Sequence, residues 1–122
     1  MVDVNLKNGC LSYVKKSHLI KKRQLYVRDD HSTTRIKCKF INPQDEQVYA
    51  EEEFEPLEVK AGSCVLIHGL VVHQSKLNET DQPRPIYTFH LLEMDNKKWS
   101  DRNWLQETDG YKFPLLYETE AN

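Results

Sequence analysis

Residues 58–92, EVKAGSCVLIHGLVVHQSKLNETDQPRPIYTFHLL, decide the fold class of this chain. After a polar approach and a glycine turn, Cys64–Ile67 is a continuous apolar run typical of a strand buried on both faces. Apolar and β-branched residues resume at Val71–Ser75 and again at Ile86–Leu92, on either side of a turn-rich bend at Lys76–Pro83. Short strands joined by polar turns, with no amphipathic helix between them, predict an antiparallel β architecture.

The sequence before that stretch predicts one more strand and two exposed loops. Cys10–Val14 alternates apolar and polar residues after the turn signal Asn8-Gly9, as expected of a short strand. Asp45–Glu58 is rich in carboxylates and predicts an exposed excursion with a little strand where its aromatic residues alternate. Lys15–Arg23 carries a run of cations, which is compatible with a solvated loop or with an anion-binding surface.

Length and charge limit the classes of fold and partner. A chain of 122 residues with 39% hydrophobic residues supplies a thin core, and we predict a single domain over residues 1–122. Seventeen Lys and Arg against nineteen Asp and Glu leave a net charge of -2. This balance gives no electrostatic reason to expect nucleic acid or an anionic membrane as a partner.

The cysteines and the two ends of the chain predict an intracellular, cytoplasmic protein. Cys10, Cys38 and Cys64 form no CxxC pair, which fits a reducing compartment. No apolar run approaches the ~20 residues of a transmembrane helix. The first residues lack the features of a signal peptide, and the final TEAN is not a peroxisomal tripeptide. Cys64 lies inside an apolar run and is expected to be an inert buried thiol.

His73, Ser75 and Arg84 are the candidate functional side chains. Alternate side chains share one face of a strand, so His73 and Ser75 are expected to project together. If the following bend brings Arg84 beside them, the set suits a metal ion bound through neutral imidazole and a carboxylate bound through the guanidinium fork. A structural position in the core or at a sheet edge also fits His73. His68 and His90 are expected to be structural or to line a pocket.

Residues 62–93 closely resemble the C-terminal half of the phytanoyl-CoA dioxygenase family. The most specific part is His73 with Arg84 eleven residues later, framed by VLIHG and YTFHLLE. The NGCL segment with its downstream Ser17-His18 extends the resemblance towards the N-terminus, and WSDRNWLQETDGYKFPLLY extends it to the other end. The resemblance implies a mainly β domain of the double-stranded β-helix type, a cupin-like jelly roll. It further implies that residues 1–122 are the C-terminal part of such a domain, incomplete because only the later strands are present.

The same resemblance implies an Fe(II)/2-oxoglutarate-dependent dioxygenase with a small-molecule substrate. His73 matches the distal iron ligand of the family, and Arg84 matches the arginine that binds the C5 carboxylate of 2-oxoglutarate. Ser75 matches a hydroxyl that contacts that same carboxylate. The implied reaction uses O2 as the oxidant, with one oxygen atom entering succinate as 2-oxoglutarate loses CO2 and the other hydroxylating a C–H bond of the substrate.

The chain departs from the family pattern at the other iron ligands. None of its five histidines begins an HxD or HxE motif, and Lys15-Lys16 replace the Pro-Gly that precedes Ser-His in the family. We therefore predict that the chain alone is inactive, binds metal weakly and self-associates through open sheet edges. The alternative is a non-catalytic β half-barrel that binds a protein partner or a carboxylate ligand. A zinc hydrolase has less support, because no second cluster of ligands is visible.

Overall fold

A computed structural model describes residues 2–29 and 37–117 of the chain. Within these residues the fold is mainly β, in agreement with the predicted class, and its sheets are small and open. The strands are β1 (Leu11–Val14), β2 (Leu25–Arg28), β3 (Cys38–Ile41), β4 (Phe54–Leu57) and β5 (His73–Ser75). Single turns of 3₁₀ helix lie at Ser17–Leu19, Pro43–Asp45 and Glu51–Glu53.

The chain divides into two compact units. One unit comprises the described parts of Met1–Arg23 and Gln44–Leu91, and contains a three-stranded antiparallel sheet in the order β4-β1-β5. The other unit comprises the described parts of Gln24–Pro43 and Leu92–Asn122, and contains the antiparallel pair β2-β3. The single domain expected over residues 1–122 stays a prediction.

The sheet of the first unit has one buried face and one open face. The pairs across β1 are Leu11 with Leu57 and Ser75, and Tyr13 with Glu55 and His73. Directly opposite residues point to the same face of a sheet, so His73 and Ser75 share a face, while Ser12 and Val14 occupy the other. Ser12 and Val14 are buried, whereas His73 and Ser75 are exposed. The candidate side chains on β5 therefore lie on the open face.

Ser17 and Arg23 hold the loop that follows β1. The hydroxyl of Ser17, a residue only 2% exposed, donates to the Val14 carbonyl at 2.7 Å and accepts the Val72 N–H at 2.8 Å. These bonds fasten the end of β1 to the segment that leads into β5. Arg23 Nη1 donates to the Leu70 carbonyl at 2.9 Å, and its Nε and Nη2 also donate to backbone carbonyls. The guanidinium of Arg23 therefore stabilises the loop.

Two of the predicted strands do not form. Neither Cys64–Ile67 nor Ile86–Leu92 is in a strand, and Leu66 in the first run is 90% exposed. Both runs are apolar, but a ladder needs a partner strand, and the described residues place none beside either run. The predictions of a buried strand at the first run and a paired strand at the second are wrong. Cys64 is exposed, so the predicted buried thiol is also wrong.

The second unit contains the strand pair β2-β3, which the sequence analysis does not predict. Tyr26 of β2 packs against Phe40 of β3, with ring centroids 4.7 Å apart, and Val27 is buried. The backbone N–H of Arg28 donates to the Arg102 carbonyl at 2.9 Å, which fastens the later segment to β2. No helix formed by residues 2–29 or 37–117 combines the length and apolar character that crossing a bilayer requires.

Candidate functional site

Arg84 lies against Ser75 on the open side of the sheet. The guanidinium donates through Nη2 to Ser75 Oγ at 3.1 Å and through Nε to the carbonyl of Asn8 at 2.9 Å. Ser75 Oγ donates in turn to the carbonyl of Gly9 at 2.7 Å. Because the hydroxyl hydrogen of Ser75 is directed at Gly9, an oxygen lone pair is what meets Arg84. Two successive carbonyls of one turn thus fix the guanidinium and the hydroxyl.

The turn that provides these carbonyls is folded by two asparagine side chains. Asn8 Oδ1 accepts the backbone N–H of Asn5 at 2.8 Å, and Asn8 Nδ2 donates to the Asp3 carbonyl at 2.8 Å. Asn5 Oδ1 accepts the N–H groups of Lys7 and Asn8, at 3.0 and 3.2 Å. Asn8 is buried, whereas Asn5 is exposed. The sequence identifies Asn8-Gly9 only as a turn signal and does not predict that the turn contacts Arg84 and Ser75.

Gly9 allows the turn to approach the segment after β5. Its φ is +76°, in the left-handed region that glycine adopts at no steric cost. A Cβ placed on Gly9 would lie 2.5 Å from the Lys76 carbonyl oxygen and 3.3 Å from the Leu77 carbonyl. The backbone N–H of Glu79 donates to the Lys7 carbonyl at 2.9 Å, so the two segments are also hydrogen-bonded. A side chain at this position would push the turn away from Ser75.

His73 presents one ring nitrogen to the open face. Its Nδ1 lies 3.0 Å from the Val71 carbonyl oxygen. A carbonyl oxygen only accepts hydrogen bonds, so Nδ1 carries the proton and the lone pair of the neutral ring is on Nε2. A backbone carbonyl on one ring nitrogen is the usual arrangement when the other nitrogen ligates a metal. The contact with Val71 therefore leaves Nε2 of the neutral His73 ring with an unshared lone pair.

One histidine does not make up an iron site. Across residues 2–29 and 37–117, no three His, Cys, Asp or Glu side chains come together in a group that could hold a metal ion. Asp29-Asp30-His31 also combines side chains that can ligate a metal, but no other feature of the sequence supports a metal site there, and from Asp30 onwards the segment lies outside the described residues. The residues on the open face suit a carboxylate through the guanidinium of Arg84, and among them His73 has the side-chain chemistry of a metal ligand. They do not fit a complete Fe(II) centre.

The remaining candidate histidines lie elsewhere. His68 is exposed, and its Nδ1 accepts the Leu70 N–H at 3.1 Å, so the proton of its neutral ring is on Nε2. Its ring lies 5.0 Å from the ring of His18, centroid to centroid. His90 is exposed. The structure gives His68 a local structural contact and does not bring either His68 or His90 to Arg84.

An ion pair stabilises the end of β5 beside this site. Lys76 Nζ lies 2.6 Å from Glu51 Oε1, and Gln74 Nε2 lies 3.4 Å from Glu51 Oε2. The hydrogen bond from Lys76, and then that from Gln74, lowers the pKa of the Glu51 carboxyl below its ordinary value. The same bond raises the pKa of the Lys76 ammonium. Both groups are exposed, so salt is expected to screen their attraction.

Comparison with known proteins identifies the family. Residues 1–86 match the family described as Phytanoyl-CoA dioxygenase (PhyH). The phytanoyl-CoA dioxygenase domain-containing protein 1 homolog of Caenorhabditis elegans is 41% identical over 118 residues, which are 95% of this chain and 40% of that protein. The phytanoyl-CoA dioxygenase domain-containing protein 1 of Danio rerio is 41% identical over 115 residues, 94% of this chain and 38% of that protein. The Arabidopsis thaliana phytanoyl-CoA dioxygenase is 36% identical over 104 residues, 85% of this chain and 34% of that protein.

This chain therefore spans 34–40% of the length of these three relatives. No solved structure matches it. The family match covers well over half of the chain, and the relatives align along nearly all of it. The chain belongs to the phytanoyl-CoA dioxygenase family.

Proposed function

We propose that this chain is the C-terminal portion of an Fe(II)/2-oxoglutarate-dependent dioxygenase with a jelly-roll fold. Arg84 binds the C5 carboxylate of 2-oxoglutarate, Ser75 orients Arg84, and His73 ligates the metal. The observation that supports this most is the hydrogen bond of 3.1 Å between Arg84 Nη2 and Ser75 Oγ, beside a histidine that projects from the same face of β5. Membership of the phytanoyl-CoA dioxygenase family supports the class of reaction.

Some of the hydrogen-bond donors of the Arg84 guanidinium are used by neighbouring residues, and others are available to a ligand. Nε and one hydrogen of Nη2 are used by Asn8 and Ser75. Among the described residues, Nη1 and the second hydrogen of Nη2 have no hydrogen-bond acceptor. These donors form the planar fork that matches the two oxygens of a carboxylate. Because Arg84 is half-buried, we expect the resulting ion pair to be screened less than one at the surface.

Ser75 acts on the carboxylate through Arg84 in this arrangement. Its hydroxyl hydrogen is donated to Gly9, so Ser75 offers Arg84 a lone pair and offers a bound carboxylate no hydrogen. A direct hydrogen bond from Ser75 to the carboxylate, as the family resemblance implies, requires its O–H to rotate away from Gly9. The orienting role needs no such change.

His73 contributes Nε2 to the metal site, because the Val71 carbonyl holds the ring proton on Nδ1. Iron, when bound, supplies the redox chemistry that links decarboxylation of 2-oxoglutarate to hydroxylation of the substrate. Within the proposal, the HxD pair of the family comes from the part of the domain that is upstream of this sequence. The chain alone is then inactive, because one ligand does not retain Fe(II).

The partners in this proposal are 2-oxoglutarate and a small-molecule substrate, and the compartment is the cytoplasm. A net charge of -2 gives no reason to invoke nucleic acid or a membrane surface. The alternative, a non-catalytic half-barrel that binds a partner or a carboxylate, is not favoured, because the matching relatives carry dioxygenase names.

Succinate formation from 2-oxoglutarate tests the proposal. The chain alone is compared with an extended protein, in which the sequence upstream of the matched region of the Caenorhabditis elegans relative is joined to its N-terminus. We expect Fe(II)-dependent succinate from the extended protein and none from the chain alone. The extended protein carrying His73→Ala is the matched control, with the metal ligand removed. Fe(II)-dependent succinate from the chain alone would show that the ligand set is misread, and a folded extended protein without activity would contradict the dioxygenase assignment.

A further inference from the structure

We infer that Asn8 is a positioning residue for cosubstrate binding, because its side chain folds the turn whose carbonyls hold Arg84 and Ser75. This inference rests on the proposed function, since it concerns the same carboxylate site. The two carbonyls belong to Asn8 and Gly9, and they accept hydrogen bonds from Arg84 Nε at 2.9 Å and from Ser75 Oγ at 2.7 Å. The site thus depends on a turn more than sixty residues away in sequence.

The side chain of Asn8 works on the turn and not on the ligand. Both ends of its amide are used within the turn, by the Asn5 N–H and the Asp3 carbonyl. Asn8 is 9% exposed, so water does not readily replace these bonds. The carbonyl that accepts the hydrogen bond from Arg84 Nε belongs to the same residue, so the orientation of the Asn8 peptide determines the position of the guanidinium.

A substitution that removes the side-chain amide of Asn8 keeps the backbone carbonyls of the turn but no longer fixes their orientation. Asn8→Ala loses both the acceptor for Asn5 and the donor to Asp3, while Asn8→Asp keeps an acceptor and loses the donor. A hydrogen bond to a charged group such as a guanidinium is worth roughly a 10- to 100-fold change in an equilibrium constant. We therefore expect Asn8→Ala to raise the Kd of 2-oxoglutarate roughly 10- to 100-fold, and Asn8→Asp to raise it by less.

A double-mutant cycle with Arg84→Ala separates positioning from general stability. The Kd of 2-oxoglutarate is measured by calorimetry on the extended protein loaded with Mn(II) under anaerobic conditions. Asn8→Ala is expected to weaken binding when Arg84 is present and to have no further effect in the Arg84→Ala background, because the amide acts through that guanidinium. In steady-state assays with Fe(II), the KM for 2-oxoglutarate should rise while kcat at saturation changes little.

A matched control and a second cosubstrate sharpen the test. Ser12→Ala alters a residue that is also 9% exposed but lies on the opposite face of β1, and it should leave the Kd unchanged. 2-Oxovalerate has no C5 carboxylate, so Asn8→Ala should reduce the preference for 2-oxoglutarate over this monocarboxylate. If Asn8→Ala does not fold, Asn8→Asp provides the same comparison.

The outcomes distinguish the inference from the function on which it rests. If Arg84→Ala leaves 2-oxoglutarate binding unchanged, both are overturned. If Arg84→Ala weakens binding and neither Asn8 variant does, the proposed function stands and the inference fails. An equal loss from Asn8→Ala in both backgrounds shows that Asn8 only stabilises the fold, and this also overturns the inference.

Discussion

Gly9→Ala should destabilise the protein through two separable costs. The first is conformational, because the φ of +76° at Gly9 lies in the left-handed region, which costs an alanine about 1–2 kcal/mol. The second is steric, because the new Cβ would lie 2.5 Å from the backbone oxygen of Lys76. Backbone cannot rotate out of the way as a side chain can, and overpacking of this kind costs about 1–3 kcal/mol. The expected loss in free energy of unfolding is therefore about 2–5 kcal/mol.

Gly62→Ala is the matched control for this prediction. Gly62 has a φ of +86°, but a Cβ built on it meets no atom within 4 Å. It should show the conformational cost of about 1–2 kcal/mol alone. The smaller entropy of an unfolded chain that carries alanine applies to both variants and cancels between them. The assay is urea denaturation of the extended protein and of both variants. Equal losses for Gly9→Ala and Gly62→Ala would refute the close approach of the turn to Lys76.

Four further outcomes follow. In the extended protein, Arg84→Ala should cost about 2–5 kcal/mol of cosubstrate binding, a rise of roughly 30- to 5000-fold in the KM for 2-oxoglutarate. Arg84→Lys should recover only part of this binding free energy. An unchanged KM would count against the binding of the cosubstrate carboxylate by Arg84. His73→Ala should abolish iron retention through gel filtration and His90→Ala should not. The folded pKa of Glu51 is lowered, so its contribution to stability is present above the ordinary glutamate pKa and is lost as pH falls through the folded value. Glu51→Gln should therefore lower Tm near neutral pH and have no effect in strong acid. The control variant Glu52→Gln should have little effect on Tm at either pH. The chain alone should self-associate, so a concentration-independent monomer in sedimentation would contradict the open edges.

The elements that the sequence predicted well are those whose local pattern coincides with a partner inside the chain. Cys10–Val14 was predicted as a strand from its alternation, and β1 occupies Leu11–Val14. The expected little strand within the acidic stretch is β4, and β5 falls inside the strand predicted at Val71–Ser75. In each case β1 provides hydrogen bonds to both neighbours, so local preference and pairing agree.

Two of the errors arise where local preference has no such partner. Cys64–Ile67 and Ile86–Leu92 are apolar enough for strands, yet hydrophobicity specifies burial and does not specify which strand completes the ladder. The antiparallel pair β2-β3 does have its partner within the chain. It is missed, although Tyr26 and Val27 are strong strand formers, because only a few residues in each strand carry the pattern. Short strands give weak signals, and tertiary pairing decides whether they form.

The sequence also predicts only part of the candidate site. His73, Ser75 and Arg84 could be named from the sequence because their side-chain types suit a metal and a carboxylate and because the family resemblance implies a role for each. Asn8-Gly9 is recognisable in the sequence as a turn, but its contacts with Arg84 and Ser75 come from backbone carbonyls, which every residue has, so no residue type marks them. Only the distances to Arg84 and Ser75 distinguish these two carbonyls from the others. The roles of the three named side chains stay predictions until the extended protein is measured.

The two halves of the proposed chemistry place different demands on the chain. The carboxylate site is held by hydrogen bonds within the first unit, from Arg84 and Ser75 to the turn at Asn8 and Gly9. None of these bonds involves His73, so the proposed metal is not needed to orient the guanidinium. In the proposal the metal site is the reverse case, because the described residues contain no group of three possible ligands and the ligands other than His73 come from other parts of the domain. Preorganisation lowers the entropic cost of binding, and here it is concentrated on the carboxylate. Variants in the turn should therefore alter the affinity for 2-oxoglutarate, while the affinity for iron depends on how completely the rest of the domain closes over His73.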